Sequence, residues 1–216
     1  MSVKSVTIAL LWTIAGYFLG CIMFCSWLPR RLTGKDICEI SSDHNPGATN
    51  VFIHCGAPLG LACLLLDLLK GFIPVYFASR SEIAGTVLMA LVIAAPALGH
   101  ATGVFNHFRG GKCIATIFGE VLGLLPISYI GILLAVLYIL FSMVLCIRPD
   151  RKCSILTFSV FGSAAFIIEW ILGRFPVGLG CLLISLISIG KHLIAREEPE
   201  EEKETRQEKE TVPAGK

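Results

Sequence analysis

Charged side chains are scarce in this 216-residue sequence. Asp, Glu, Lys and Arg make up 16% of the chain, and 55% of the residues are hydrophobic, whereas about 25% charged residues is usual for a soluble domain. Only 21 of the 34 charged residues precede Arg196, too few to cover a water-soluble globule of that length. The composition therefore excludes a soluble globular domain, a disordered chain and a nucleic-acid-binding protein.

The sequence also lacks any ordered cysteine pattern. Its nine cysteines are odd in number and form no C-x-x-C pair. Most lie inside apolar runs, where a thiol behaves as a small hydrophobic side chain. We therefore expect neither a disulfide framework nor a metal site, and no cofactor.

Long apolar runs are what the chain has instead. About 20 apolar residues are needed to cross the ~30 Å hydrocarbon core of a bilayer. Seven runs approach or reach this length, at 6–28, 58–78, 84–104, 113–125, 127–146, 154–172 and 177–195. Because the run at 113–125 is short, six spans remain an alternative to seven. The pattern predicts an all-α, polytopic integral membrane protein with about seven transmembrane helices.

The cationic residues between these runs predict the orientation of the protein, because cytoplasmic loops of membrane proteins carry an excess of Lys and Arg. Three such residues fall in one set of loops, namely Lys4, Arg80 and Arg174. Ten fall in the opposite set: Arg30, Arg31, Lys35, Arg109, Lys112, Arg148, Arg151, Lys152, Lys191 and Arg196. We therefore expect the N-terminus outside and the C-terminus in the cytoplasm, which is consistent with seven spans.

The composition changes abruptly near the C-terminus. Residues 1–195 are predicted to form a single membrane-embedded domain. The stretch 196–216 holds eight acidic and five basic residues and no apolar face. We expect it to be a charged, disordered cytoplasmic tail.

Two polar, glycine-rich loops stand out on the predicted cytoplasmic side, GKDICEISSDHNPGATN at 34–50 and GHATGVFNHFRGGKCIAT at 99–116. In the second loop, Arg109 and Lys112 flank two glycines just before an apolar helix. Backbone N–H groups freed by glycine, a helix N-terminus and a lysine together can hold an anion. An ordinary turn that obeys the positive-inside rule explains the same residues equally well, since a GGK triplet is a weak motif.

Charged residues also lie inside the predicted spans. Asp67 and Lys70 are three residues apart on one helix face, where they can pair. An unpaired charge near the bilayer centre costs about 2.5–3.5 kcal/mol, so such residues mark either function or a pair that fixes helix register. Glu120 and Glu169 are also within spans.

The two loops and the segment LLLDLLKG, spaced as they are among the apolar runs, resemble the PlsY-type glycerol-3-phosphate acyltransferases of bacteria. The resemblance covers about the first 125 residues. It implies a monomeric enzyme of the bacterial cell membrane whose active site is on the cytoplasmic face. In that family an acyl chain passes from acyl phosphate to the 1-hydroxyl of glycerol 3-phosphate, giving lysophosphatidic acid and phosphate. The implied partners are these two substrates and membrane lipid, with no acyl-CoA, metal or nucleic acid.

The resemblance also implies a set of site residues. Ser42 would be the family's first-loop serine, with Ser41 as an alternative because this loop has one extra residue. Lys112 would be the second-loop lysine and His192 the third-motif histidine, and these are the catalytic candidates together with Ser42. The substrate-binding candidates are Ser41, Asn45, Gly47, Thr49, Asn50, His100, Arg109, Gly110 and Gly111.

The chain departs from the family pattern at three places. Ile53 stands where the family usually has arginine, Cys113 stands where it has glycine, and His192 is followed by LIAREE rather than by an asparagine. These departures indicate a divergent member. A paralogue with an altered acceptor or lost activity remains an alternative, as does a small-solute transporter or membrane scaffold suggested by the charges within the spans.

Overall fold

The computed structural model of the chain describes residues 2–194, and the tail predicted at 196–216 lies outside the described residues. Within residues 2–194 the structure is helical and has no strand. The α-helices are α1 (Val3–Cys21), α2 (Phe24–Thr33), α3 (Ile37–Ile40), α4 (Ala48–Cys55), α5 (Ala57–Ala78), α6 (Leu88–Thr102), α7 (Ile114–Gly123), α8 (Ile130–Ile139), α9 (Asp150–Ile171) and α10 (Phe175–Ile194). A 3₁₀ turn (Val104–Asn106) follows α6, and a π-helical turn (Leu140–Val144) extends α8.

Helical segments of membrane-spanning length account for most of the predicted apolar runs. Five are long and apolar enough to cross a bilayer: Val3–Thr33, Ala57–Ala78, Leu88–Asn106, Asp150–Ile171 and Phe175–Ile194. The runs predicted at 113–125 and 127–146 contain shorter apolar helices, Ile114–Gly123 and Ile130–Val144. The prediction of an all-helical membrane protein is confirmed.

Small residues let two pairs of helices pack backbone against backbone. A Cβ atom added at Gly99 of α6 would lie 2.0 Å from the Tyr17 carbonyl oxygen of α1. At Gly119 of α7 it would lie 1.9 Å from the Leu68 carbonyl oxygen of α5. Close approach of this kind is how helices associate in a bilayer, where apolar side chains gain little by leaving lipid. It fixes α7 against α5 and α6 against α1.

The first spanning segment is interrupted where it meets α5. α1 ends at Cys21, and Ile22 adopts an extended conformation before α2 begins. The Ile22 carbonyl therefore lacks a helical partner and accepts a hydrogen bond of 2.7 Å from the Lys70 Nζ atom. Lys70 also pairs with Asp67 at 2.8 Å, and both residues are 2% exposed. The predicted pairing of these two charges is confirmed.

A second buried carboxylate lies where the end of α9 meets the segments that precede α8 and α10. Glu169 of α9 is 1% exposed. It accepts a 2.7 Å hydrogen bond from the Ser128 hydroxyl before α8, and it pairs with Arg174 just before α10. Its charge is therefore balanced inside the fold.

Candidate functional site

A cavity of about 980 Å³ opens where the two glycine-rich loops, α5, α7 and the ends of α9 and α10 meet. One side of it is polar and is formed by the loops together with the start of α9 and the end of α10. The helices α4, α5 and α7 contribute the apolar residues of the lining, together with Thr49, Asn50 and Asp67. The apolar residues are Ile53, Leu64, Leu68, Ile114, Ala115, Phe118 and Leu122.

The first loop is held in shape by its own side chains. Asp43 Oδ1 accepts hydrogen bonds from the backbone N–H of Asn45 at 3.2 Å and from Asn50 Nδ2 at 2.8 Å. Asn50 Nδ2 also donates to the Asn45 carbonyl at 2.8 Å. Gly47 follows as the residue before α4, and a Cβ there would lie 2.5 Å from Asn45 Nδ2. Asn45, Gly47 and Asn50 are thus brought together as one surface of the cavity.

The second loop folds back tightly on the end of α6. The backbone N–H of Gly111 donates to the His100 carbonyl at 3.0 Å. A Cβ at Gly110 would lie 2.0 Å from the Ala101 carbonyl oxygen, and one at Gly111 would lie 2.3 Å from His100 Nε2. Only glycine fits this approach without displacing its neighbours. The fold places Lys112 and His100 at the cavity, and His100 Nδ1 is 3.3 Å from the Thr116 hydroxyl.

An ion pair joins the two loops across the cavity. Lys112 Nζ lies 2.8 Å from Asp43 Oδ2, although 69 residues separate them in sequence. Burial raises the pKa of the Asp43 carboxyl, but the hydrogen bond and charge of Lys112, with the hydrogen bonds from Asn50 and Asn45, outweigh it. The pKa therefore lies below the ordinary value. The Asp43 carboxyl is therefore ionised at neutral pH.

His192 lies beside this pair at the end of α10. Its Nδ1 is 2.8 Å from the Ser188 carbonyl oxygen. A carbonyl only accepts, so Nδ1 carries the proton and Nε2 of the neutral ring is left as the acceptor. The Ser188 hydroxyl in turn donates to the Lys112 carbonyl at 3.0 Å. α10 therefore fixes both the imidazole and the lysine backbone.

The structure gathers most of the site candidates into this one cavity. Those that line it are Ser42, Asn45, Gly47, Thr49, Asn50, His100, Lys112 and His192. Ser41 is fully buried and its hydroxyl donates to the Ile37 carbonyl at 2.7 Å, away from the lining. Arg109 is exposed outside the lining, while Gly110 and Gly111 shape the loop behind it.

Other polar residues of the lining were not among the candidates. Asp43 lies within the first loop's motif, and its neighbours gave no sign that it would meet Lys112. Arg148 lies two residues before α9, and Arg151 and Ser154 lie near its start. In the sequence, the two arginines predicted only the orientation in the membrane. Nothing in their local sequence distinguishes residues that line a cavity from residues of an exposed loop. Ile53 and Cys113, two departures from the family pattern, also line the cavity.

The arrangement suits an anion that carries an apolar chain. Lysine, arginine, hydroxyl and amide groups lie on one side, where they can hold phosphate oxygens. Leucines of α5 and apolar residues of α7 line the same cavity. The fold and the site together define an integral membrane protein with a cavity lined by both polar and apolar groups.

Comparison with known proteins gives the family. Residues 10–196 match the family model described as glycerol-3-phosphate acyltransferase. A glycerol-3-phosphate acyltransferase of Limosilactobacillus reuteri is 32% identical over 161 residues, which cover 74% of each chain. One of Fusobacterium nucleatum is 40% identical over 124 residues, 57% of this chain and 62% of that protein. The chain belongs to the glycerol-3-phosphate acyltransferase family, as its loop motifs predicted.

A solved structure supports the same assignment. The crystal structure of PlsY, an integral membrane glycerol 3-phosphate acyltransferase in its glycerol 3-phosphate form, has a TM-score of 0.71 to this chain. The two are 27% identical, and the match covers 96% of each chain. The aligned segments of the first sequence relatives are shorter and span 62%, 59% and 55% of those proteins.

Proposed function

We propose that the protein transfers an acyl chain from acyl phosphate to the 1-hydroxyl of glycerol 3-phosphate, producing lysophosphatidic acid and inorganic phosphate. The observation that carries the proposal is one cavity whose lining combines cationic and amide groups with apolar side chains. Both substrates carry phosphate, and only the donor carries a long chain. A single cavity of this kind accommodates both.

In this mechanism the enzyme mainly positions its substrates, because acyl phosphate is already activated. The 1-hydroxyl oxygen attacks the acyl carbonyl carbon, and the bond from that carbon to the phosphate oxygen breaks. Lys112 neutralises phosphate charge, while Ser42 and Asn45 hydrogen-bond the substrates. Backbone N–H groups near Gly47 and Gly111 complete the anion site.

His192 receives the hydroxyl proton in this proposal. Its Nδ1–H is held by the Ser188 carbonyl, so Nε2 is the atom with a free lone pair. An imidazole that takes the proton as the carbon–oxygen bond forms is an ordinary general base. The proton then passes from His192 to the released inorganic phosphate.

The remaining features of the proposal concern the membrane. We propose seven spans, in which Ile114–Gly123 and Ile130–Val144 cross together with the five longer segments. Residues 1–195 would form one monomeric acyltransferase domain with its N-terminus outside. The cavity then faces the cytoplasm of a bacterial cell membrane, where soluble glycerol 3-phosphate is available.

The first test is a phosphate-release assay on the purified protein in lipid, with palmitoyl phosphate and glycerol 3-phosphate. We expect acceptor-dependent phosphate release with lysophosphatidic acid formed. Lys112→Ala should lower turnover by about 10²–10³-fold, the usual cost of removing a group that stabilises developing charge. Full activity in Lys112→Ala would overturn the assigned mechanism.

A second candidate function is favoured by two of the departures, because Ile53 and Cys113 line the cavity itself. Under this alternative the protein is a paralogue with another acceptor or with no activity. Silence in the assay, with an active family enzyme in parallel, would support it. Release with other phosphorylated or polyol acceptors would then identify the altered substrate.

A further inference from the structure

Most charged residues around the cavity already have an opposite charge beside them. The pairs are Asp43 with Lys112, Asp67 with Lys70, and Arg148 with Asp150. Arg151 differs, since no carboxylate of residues 2–194 lies within ion-pair distance of it. It is the cavity-lining cation whose charge is not already balanced in the described part of the chain.

The surroundings of Arg151 hold it in place without neutralising it. Its Nη2 donates to the Leu193 carbonyl of α10 at 2.8 Å. That bond uses one of the five N–H donors of a guanidinium and leaves its charge intact. Ser154, about one helical turn further along α9, lines the cavity with it. His192 directly precedes Leu193 on α10 and also lines the cavity.

The two cations, Lys112 and Arg151, differ in how they lie relative to the apolar residues of the cavity. Lys112 directly precedes Cys113, Ile114 and Ala115, so it stands at the head of the α7 surface that an acyl chain would follow. Arg151 stands instead on α9, beside Ser154 and His192. Glycerol 3-phosphate has no chain to place on an apolar wall. The polar corner of α9 and α10 therefore suits this substrate better than it suits the acyl donor.

We infer that Arg151 binds the phosphate group of glycerol 3-phosphate and so sets the affinity for the acceptor. The inference rests on the proposed function. Arg151 has no carboxylate of residues 2–194 competing for its charge, whereas Lys112 shares its charge with Asp43. The planar guanidinium also matches two phosphate oxygens at once. His192 lines the same cavity as Arg151 and Lys112.

The test compares R151Q with K152Q in steady-state assays. Lys152 is the next residue along α9 and is exposed outside the cavity, so K152Q makes the same charge change without touching the site. We expect R151Q to raise the KM for glycerol 3-phosphate about 10- to 100-fold, the loss usual for a charge-assisted contact. The KM for acyl phosphate should stay unchanged, which also shows that the variant is folded. K152Q should leave both KM values at their wild-type levels.

Calorimetric titration of glycerol 3-phosphate into the protein in lipid nanodiscs, without donor, separates this inference from the proposed function. Weaker binding by R151Q, with K152Q like the wild type, supports the inference even if the wild type shows no turnover. Equal binding by R151Q and the wild type overturns it while leaving an observed activity intact. A rise in the KM for acyl phosphate alone, or a wild type that binds no glycerol 3-phosphate, also overturns it.

Discussion

At the scale of single residues, the shape of the second loop depends on glycines, which have no side chain. Gly110 lies against the backbone of Ala101, where a Cβ would come within 2.0 Å of the carbonyl oxygen. A backbone atom cannot rotate away as a side chain can. The loop that presents Lys112 therefore has room only for glycine at this position.

We expect Gly110→Ala to destabilise the protein by about 1–3 kcal/mol, the usual cost of overpacking a fitted site, and to reduce turnover by displacing Lys112. Gly190→Ala is the matched control. Gly190 lies inside α10 with no atom within 4 Å of an added Cβ, so alanine there should be neutral or stabilise by up to about 1 kcal/mol. Thermal unfolding in detergent and the phosphate-release assay check both variants. Equal unfolding midpoints for Gly110→Ala and the wild type would show that the loop accommodates a Cβ at this position and would contradict the expectation.

At the scale of elements, the buried pair on α5 is what joins that helix to the first spanning segment. Lys70 contacts both Asp67 and the carbonyl at the break between α1 and α2. Asp67 also accepts from the Cys25 thiol of α2 at 3.1 Å. The pair therefore holds α5 against both halves of the interrupted segment.

We expect Lys70→Met to cost about 3–5 kcal/mol, because it leaves the Asp67 carboxylate buried without an opposite charge. The double variant Asp67→Asn/Lys70→Met should lose less than Lys70→Met alone, since it removes both charges. Lys4→Met is the control, because its pair with Glu82 is exposed (76% and 39%) and such pairs contribute about 0–1 kcal/mol. Denaturant unfolding of all three variants measures these differences. A Lys70→Met protein as stable as Lys4→Met would contradict the expectation.

Whether the sequence predicts a contact depends on how many residues separate the two partners along the chain. Asp67 and Lys70 are three residues apart on one helix, so helical geometry alone predicts their pairing. The apolar runs likewise predict the helices. Asp43 and Lys112 meet across 69 residues, and nothing near either residue specifies the other. Arg151 reaches the cavity only because α9 packs against α10, and that packing is not visible in its local sequence.

At the scale of the whole molecule, the proposed orientation makes a direct prediction about cysteine reactivity. Cys146 is the exposed cysteine of residues 2–194 and stands two residues before cavity-lining Arg148. Cys55 is half-buried and the remaining seven cysteines are buried. A cytoplasmic cavity places Cys146 on the inner side of the membrane.

We expect a membrane-impermeant maleimide to label the protein in inverted vesicles and not in right-side-out vesicles, with Cys146→Ser removing most of the label. The reciprocal variant adds Gly85→Cys to a Cys55→Ser/Cys146→Ser background. Gly85 is exposed between α5 and α6 with no atom within 4 Å of an added Cβ, so cysteine is tolerated there. Labelling at position 85 should occur only from outside. The opposite pattern would invert the proposed topology.

The short break at Ile22 also bears on how the protein is assembled during synthesis. Residues 1–33 leave the ribosome before α5, and the carbonyl left without a helical partner by the end of α1 is then present to receive the Lys70 ammonium. α5 carries its own counter-ion in Asp67, so it enters the bilayer as an internally neutralised helix. The N-terminal segment then acts as the docking partner for the next helix to be inserted. We therefore expect Lys70 to pair with Asp67 first and to contact the Ile22 carbonyl only when α5 docks.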